Sequence, residues 1–165
     1  MSQLTPIQYI VGDATQPATT GQTIIAHVCN DIGGWGAGFV LALSKRWKQP
    51  ELQYRQWHRE GTSGSSAFAL GAVQFVRVSE TITVANMIGQ HGIHKSADLP
   101  PIRYPAVDQA LAHVAEEALR LNASVHMPRI GCGLAGGSWD LIEPLVHSRF
   151  CERGISVTIY DLPKS

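Results

Sequence analysis

Apolar and polar positions along the chain fall into alternating strand-like and helix-like stretches. IQYIVGDA and QTIIAHVC read as two short strands, the second apolar enough to be buried on both faces. GFVLALSKRW bunches its apolar residues as a buried helix does, with Lys45 and Arg46 in the last turn, where they suit the helix dipole. PELQYRQWHRE follows, with Pro50 suited to the first turn of a second helix. GTSGSSA is a polar, flexible loop too short to link two domains.

Further on, GAVQFVRV and TITVANMI flank the polar pair SE and predict a β-hairpin. QHGIHKSADLPP reads as a loop, and YPAVDQALAHVAEEALRLN as the clearest amphipathic helix of the chain. ASVHMPRI is a strand, GCGLAGG a glycine loop, SWDLIEPLVHSRFCERG a helix and ISVTIYDLP a last strand. Ser138 is placed to cap that last helix, and Pro144 inside it should bend or interrupt it. No internal repeat is present. Strands alternating with helices predict an α/β fold with a largely parallel sheet, which the hairpin makes mixed.

A length of 165 residues supports one well-buried core, hence a single domain over residues 1–165. Lys+Arg and Asp+Glu both number 13. This neutrality argues against nucleic acid as the main partner, since duplex binding draws on a basic surplus. The N-terminal stretch lacks the features of a secretory signal, and no apolar run approaches the ~20 residues of a membrane span. Cys29, Cys132 and Cys151 are odd in number and form no C-x-x-C pair, which predicts neither a disulfide framework nor a zinc cluster. The expectation is a soluble cytoplasmic protein with no membrane partner.

Two glycine-rich turns, in CNDIGGWGAGFVLAL and GCGLAGG, each follow a strand and lead into a helix. In open α/β sheets ligands gather at such turns, and a helix N-terminus offers unpaired N–H groups and a positive dipole end to an anion. Glycine lets backbone approach a ligand closely, although the plainer reading is that it shapes a tight turn. GCGLAG also matches G-x-G-x-x-G. A dinucleotide fold places that motif after its first strand, with a second βαβ half beyond, whereas here a single strand follows.

VGDAT, AHVCNDIGGWGAGFVLAL, VANMIGQ and MPRIGCGLAGGSWDLIEPLV, in this order, together resemble a macrodomain, the ADP-ribose-binding module. The resemblance covers nearly the whole chain and implies a three-layer α/β/α fold. It points to the small stand-alone branch that includes ADP-ribose 1″-phosphate phosphatases and terminal ADP-ribose glycohydrolases. By resemblance, Asp13, with Ala14 beside it, accepts a hydrogen bond from the adenine amino group. Asn30, Gly34, Trp35, Gly36, Ala37 and Gly38 would wrap the distal ribose and one side of the diphosphate. Gly131, Cys132, Gly133, Leu134, Ala135, Gly136 and Gly137 would cradle the diphosphate through backbone N–H groups, and Tyr160 would stack on adenine.

At the distal ribose, Asn30 suits hydroxyl binding, and Asp31 could activate a water against C1″ or its phosphate, a general-base role. The plainer role for Asp31 is to bind its own loop backbone. His27, on the strand two residues before Cys29, is a candidate for phosphate transfer or else a satisfied core histidine. His91 could enter the site from the neighbouring strand, and with His94 it has a spacing that tempts a metal reading, but no third ligand is in view. Asp140 favours the helix dipole, or serves as a second carboxylate near the phosphate. Trp35 projects from the first loop as a prospective lid, whereas Trp47, Trp57 and Trp139 have helical contexts and should pack the core.

The chain departs from the glycohydrolase branch where that branch carries a nucleophilic lysine and a second-loop acid. Gln90 and Ala135 stand at those positions, and Lys95 is displaced by several residues. The expectation is therefore a water-based hydrolase, foremost an ADP-ribose 1″-phosphate phosphatase, with no cofactor and no metal. The alternatives are a non-catalytic ADP-ribose reader and an ADP-ribosyl hydrolase acting on protein or nucleic-acid adducts. A nicotinamide-dependent oxidoreductase built on GCGLAG is a weaker reading. The partner expected in every leading case is ADP-ribose or an ADP-ribosylated substrate.

Overall fold

A computed structural model describes residues 5–95 and 99–163; residues 96–98, within the predicted loop QHGIHKSADLPP, lie outside them. The elements are β1 (Gln8–Val11), β2 (Thr23–Asn30), α1 (Phe39–Arg46), α2 (Gln49–Glu60), the short β3 (Thr62–Ser63) and β4 (Ser66–Ala67), β5 (Val73–Arg77), β6 (Ile82–Gln90), α3 (Tyr104–Leu121), β7 (Ser124–Met127), α4 (Trp139–Arg149) and β8 (Val157–Asp161). The expected hairpin is β5–β6, antiparallel from Val73↔Met87 to Arg77↔Thr83. GTSGSSA, read as loop, folds into the small antiparallel β3–β4 pair.

The main sheet has six strands in the order β1-β8-β7-β2-β6-β5. All neighbours are parallel except β5 against β6. Alternation along β2 shows why helices must cover both faces. Ile24 and Ala26 enter a core with α3 and α4, around Val107, Leu111, Val114, Ile142 and Val146. Ile25 and Cys29 enter a second core with α1 and α2, around Leu43, Tyr54 and Trp57. A strand apolar on both sides belongs between two helical layers, and the three-layer mixed α/β/α architecture follows.

Helix boundaries use the expected chemistry with two exceptions. Pro50 lies in the first turn of α2, and Gly61 closes that helix in the left-handed region at φ 77°. Ser138 occupies the cap position of α4, but its hydroxyl makes no capping bond; its backbone N–H instead donates to the Tyr104 hydroxyl at 3.0 Å. Pro144 does not interrupt α4, which runs on to Arg149. Among the described residues, no helix is long and apolar enough to cross a membrane.

Candidate functional site

Because β1, β2, β6, β7 and β8 all run in the same direction, their carboxyl ends share one edge of the sheet. That edge gathers Asp13 after β1, the first glycine loop after β2, His91 after β6 and the second glycine loop after β7. From β1 to β6 the strand order makes four inter-strand steps, or ~19 Å at ordinary strand spacing. That edge is long enough for an elongated ligand.

The first loop is built from Asn30 outward. Its Oδ1 accepts the N–H groups of Ile32 at 3.0 Å and Gly34 at 2.9 Å, and lies 2.9 Å from the Tyr54 hydroxyl. Its Nδ2 donates to the Gly34 carbonyl at 3.0 Å. Asn30 is therefore the former of the loop, its acceptor oxygen spent on backbone and one N–H of Nδ2 on the Gly34 carbonyl. Helix α2 clamps the same loop: the Tyr54 hydroxyl reaches the Asn30 carbonyl at 2.6 Å and Arg55 donates to the Gly33 carbonyl at 3.1 Å. Gly33, at φ 79°, has no room for a side chain, since a Cβ would lie 2.4 Å from His58 Nδ1.

Trp35 corrects the expectation of a lid. It is 3% exposed, packs on His27 and Tyr54, and donates from Nε1 to Ser44 Oγ at 2.8 Å. Ser44 passes the link to Glu51 at 3.0 Å, and Glu51 to Arg55 at 2.9 Å. Trp35 thus anchors the loop to both helices, leaving Ile32, Gly36, Ala37 and Gly38 exposed. Ser44→Ala should lower stability by about 1 kcal/mol, the net worth of one such hydrogen bond. Urea unfolding checks this, and an unmoved midpoint would show that the anchor carries no weight.

In the second loop, Gly131 and Gly136 sit at φ 72° and 75°, a region that glycine enters without steric cost. The loop closes through the Gly137 N–H to the Gly131 carbonyl at 2.7 Å, and its Ala135 carbonyl accepts the Ile102 N–H at 3.0 Å. The N–H groups of Gly133, Leu134 and Ala135 meet no acceptor among the described residues. Those of Gly36, Ala37 and Gly38 in the first loop are likewise unengaged among them. The two loops approach each other closely: a methyl on Gly38 would lie 3.5 Å from Leu134, a side chain that is 68% exposed. Arg129 secures the base of the second loop, pairing with Asp161 at 2.7 and 2.9 Å and lying over the Tyr9 and Trp139 rings.

At the β1 end, Asp13 Oδ1 accepts the Thr15 N–H and hydroxyl, each at 2.8 Å, and Oδ2 meets no donor among the described residues. Ala14 beside it is buried at 2% exposure. Tyr160 corrects the expectation of adenine stacking, for it is buried and its ring packs beneath Gly12. Its hydroxyl accepts the Ala18 N–H at 3.0 Å and hydrogen-bonds His126 Nδ1 at 2.7 Å. It holds the loop carrying Asp13 instead of covering a base.

His27 also departs from its expected place. It is 1% exposed, with Nε2 at 2.6 Å from Asn86 Oδ1, and burial pushes its pKa down to about 4 against a weaker opposing pull from that bond. A buried, partnered imidazole between Trp35 and Phe39 cannot reach a ligand at the sheet edge. Burial likewise pushes the Cys29 thiol up, so neither side chain is poised for chemistry. Burial also raises Cys132, whose Sγ donates to the Ile130 carbonyl at 3.4 Å.

Asp31 does reach the edge, and its partner is His91. Parallel register sets Asn30 against Gln90 after an irregularity that pairs Cys29 with Ile88 and skips Gly89. Bulges of this kind re-aim side chains beside functional sites. One residue further, Asp31 Oδ2 meets His91 Nδ1 at 2.7 Å, and Oδ1 accepts the Gly92 N–H at 2.8 Å. The sequence showed both residues but not the pairing, which becomes readable once strand register is known. Gln90 turns its Nε2 to the Gly92 carbonyl at 2.9 Å, and Asp140 stays exposed in the first turn of α4. Among the described residues no group of three or more His, Cys, Asp and Glu side chains could hold a metal.

A six-stranded mixed sheet between helix pairs, with two glycine loops at its carboxyl edge, defines a three-layer α/β/α class of domain. A solved macrodomain protein from Streptomyces coelicolor is 56% identical, matches 94% of this chain and 99% of its own, and superposes with a TM-score of 0.83. The chain belongs to the macrodomain family. No protein-family model matches it. The chromodomain-helicase-DNA-binding protein 1-like of Danio rerio is 33% identical over 96% of this chain, which spans 16% of that relative's length. The ADP-ribose 1″-phosphate phosphatase of Lodderomyces elongisporus is 26% identical over 85% of this chain and 90% of its own.

Proposed function

We propose that this protein binds ADP-ribose across the carboxyl edge of its sheet and hydrolyses a terminal group at the distal ribose, foremost the phosphate of ADP-ribose 1″-phosphate. The observation that carries the reading is the meeting of the two glycine loops at Gly38 and Leu134, with N–H groups on both sides that meet no acceptor among the described residues. Such groups favour a diphosphate, since hydrogen bonds to a charged acceptor are the strong ones. Asp13 lies at the β1 end, where its free carboxylate oxygen fits the adenine amino group. The Asp31–His91 pair lies at the β6 end, where the distal ribose would then fall. Similarity along most of the chain to the yeast-type phosphatase supports the choice of leaving group.

A second reading, binding without chemistry, is favoured by Gln90, which puts a neutral amide where the glycohydrolase branch has its lysine. Calorimetric titration with ADP-ribose, ADP and NAD, alongside phosphate release from ADP-ribose 1″-phosphate, separates the two. ADP-ribose should bind in preference to ADP, and Asp31→Ala should keep binding while losing turnover. Binding without phosphate release would favour the reader, and no ADP-ribose binding would reject both. The neutral charge suits a small-molecule partner, and the three free cysteines fit a reducing cytoplasm.

A further inference from the structure

Asp31 is poorly placed to activate water itself, with only 17% of its side chain exposed. Both of its oxygens are already accepting, Oδ1 from the Gly92 N–H at 2.8 Å and Oδ2 from His91 Nδ1 at 2.7 Å. An ionised carboxylate on Nδ1 holds the proton there and leaves Nε2 as the basic nitrogen. The ring carrying that nitrogen is open, with 61% of the His91 side chain exposed. It lines a cavity of about 550 Å³ whose other walls are apolar at Ile32, Ile93 and Leu99 and basic at His94 and Arg103. Arg103 spends Nη1 on the carbonyls of Pro100, Pro101 and Ile102 at 2.6, 3.2 and 3.0 Å. That arrangement fixes the guanidinium and leaves Nε and Nη2 without an acceptor among the described residues. Histidine, arginine and an oriented imidazole around one cavity match a doubly charged phosphoryl group.

We propose that this cavity receives the terminal phosphoryl group of the substrate, that His91 is the general base of its hydrolysis, and that Asp31 is the positioning residue for His91. The inference rests on the phosphatase reading above. Nε2 takes a proton from a water molecule as the water oxygen bonds to phosphorus. The bond between phosphorus and the oxygen on C1″ breaks, that oxygen keeping the electron pair and taking the proton from the imidazolium. The products are ADP-ribose and inorganic phosphate, and His91 returns to its neutral form.

The test is steady-state phosphate release from ADP-ribose 1″-phosphate by the wild type, His91→Ala and Asp31→Asn, each also titrated with ADP-ribose. His91→Ala should lose at least about a hundredfold in kcat, within the usual contribution of a general base, while KM and ADP-ribose affinity change by less than about threefold. Added imidazole should restore part of its turnover, which a merely structural histidine would not permit. Asp31→Asn should lower kcat at nearly constant KM. Turnover in ¹⁸O-water should label the phosphate. A His91→Ala protein that binds ADP-ribose and keeps kcat within about threefold of wild type overturns the proposal, as does label missing from the phosphate. If His91→Ala does not fold, His91→Gln provides the same comparison. A wild type that binds ADP-ribose but releases no phosphate would instead reject the phosphatase reading, and this inference with it.

Discussion

Gly137→Ala is expected to weaken ADP-ribose binding about a thousandfold. A Cβ at this position would lie 2.5 Å from the Gly131 carbonyl oxygen. That oxygen is backbone, and it accepts the Gly137 N–H at 2.7 Å to close the loop, so no flexible side chain can swing aside to make room. Relief requires opening the loop, and opening it scatters the N–H groups of Gly133, Leu134 and Ala135. Losing two or three hydrogen bonds to a charged diphosphate, at ~1.5–3 kcal/mol each, corresponds to the stated loss in affinity. Overpacking should also lower the stability of the unliganded protein by ~1–3 kcal/mol. Titration calorimetry with ADP-ribose and urea unfolding of the same sample check both effects. Affinity within about threefold of wild type would show that the second loop does not hold the ligand by its backbone. Gly133→Ala is the internal control for the clash, because no atom lies within 4 Å of a Cβ there.

The second large effect is acid destabilisation. Burial holds His27 and His126 at pKa values of about 4 in the folded protein. In the unfolded chain both titrate near the ordinary ~6.5. Between those limits the unfolded chain binds protons that the folded protein excludes, so their contribution is complete above ~6.5 and is lost as pH falls toward 4. Each histidine adds a slope approaching ~1.4 kcal/mol per pH unit in that window. Two together make acid sensitivity a prominent property of this domain well before the carboxylates are protonated. Asp108 and Asp161, held low by Arg149 and Arg129, add their loss only at lower pH. Urea unfolding at pH 7.5, 6.5, 5.5 and 4.5 measures the slope, and His27→Gln should reduce it by roughly half. An undiminished slope in that variant would mean that His27 does not resist protonation. ADP-ribose affinity of His27→Gln at pH 7.5 bears on the same residue, since a histidine confined to the core leaves binding little changed.

Much of the fold and part of the candidate site could be read before any coordinates. The strand and helix pattern, the mixed sheet and the two glycine loops are all local. Period-two alternation, apolar runs bounded by glycine, and Pro50 in the first turn of α2 need only near neighbours to declare themselves. Asp31 could be placed at a loop mouth because it follows a strand whose end the sequence marks, whereas Asp13, read within the strand IQYIVGDA, lies beyond Val11, where β1 ends. Side-chain direction was another matter. Trp35 sits in a glycine-rich loop and looks exposed, yet Ser44 on α1 and Tyr54 on α2 draw it inward. Tyr160 ends a strand where a base-stacking ring was expected, yet His126 and the Ala18 N–H hold it beneath Gly12. His27 looked like a ligand-facing group, yet it is buried and satisfied by Asn86 within the fold.

By itself, then, the sequence determined the succession of elements, the layered α/β architecture and the two places where backbone is bare enough to approach an anion. These depend on backbone sterics and on which residues cannot stay in water, and both act over a few positions. Only the tertiary structure decided which polar groups remain free for a ligand and which are consumed in making the site. Asp31 and His91 lie 60 positions apart and meet because a skipped glycine in the β2–β6 register turns both toward the same opening. Such pairing depends on strand order and register, which arise from packing two cores against one sheet, and no short stretch of the chain carries that information.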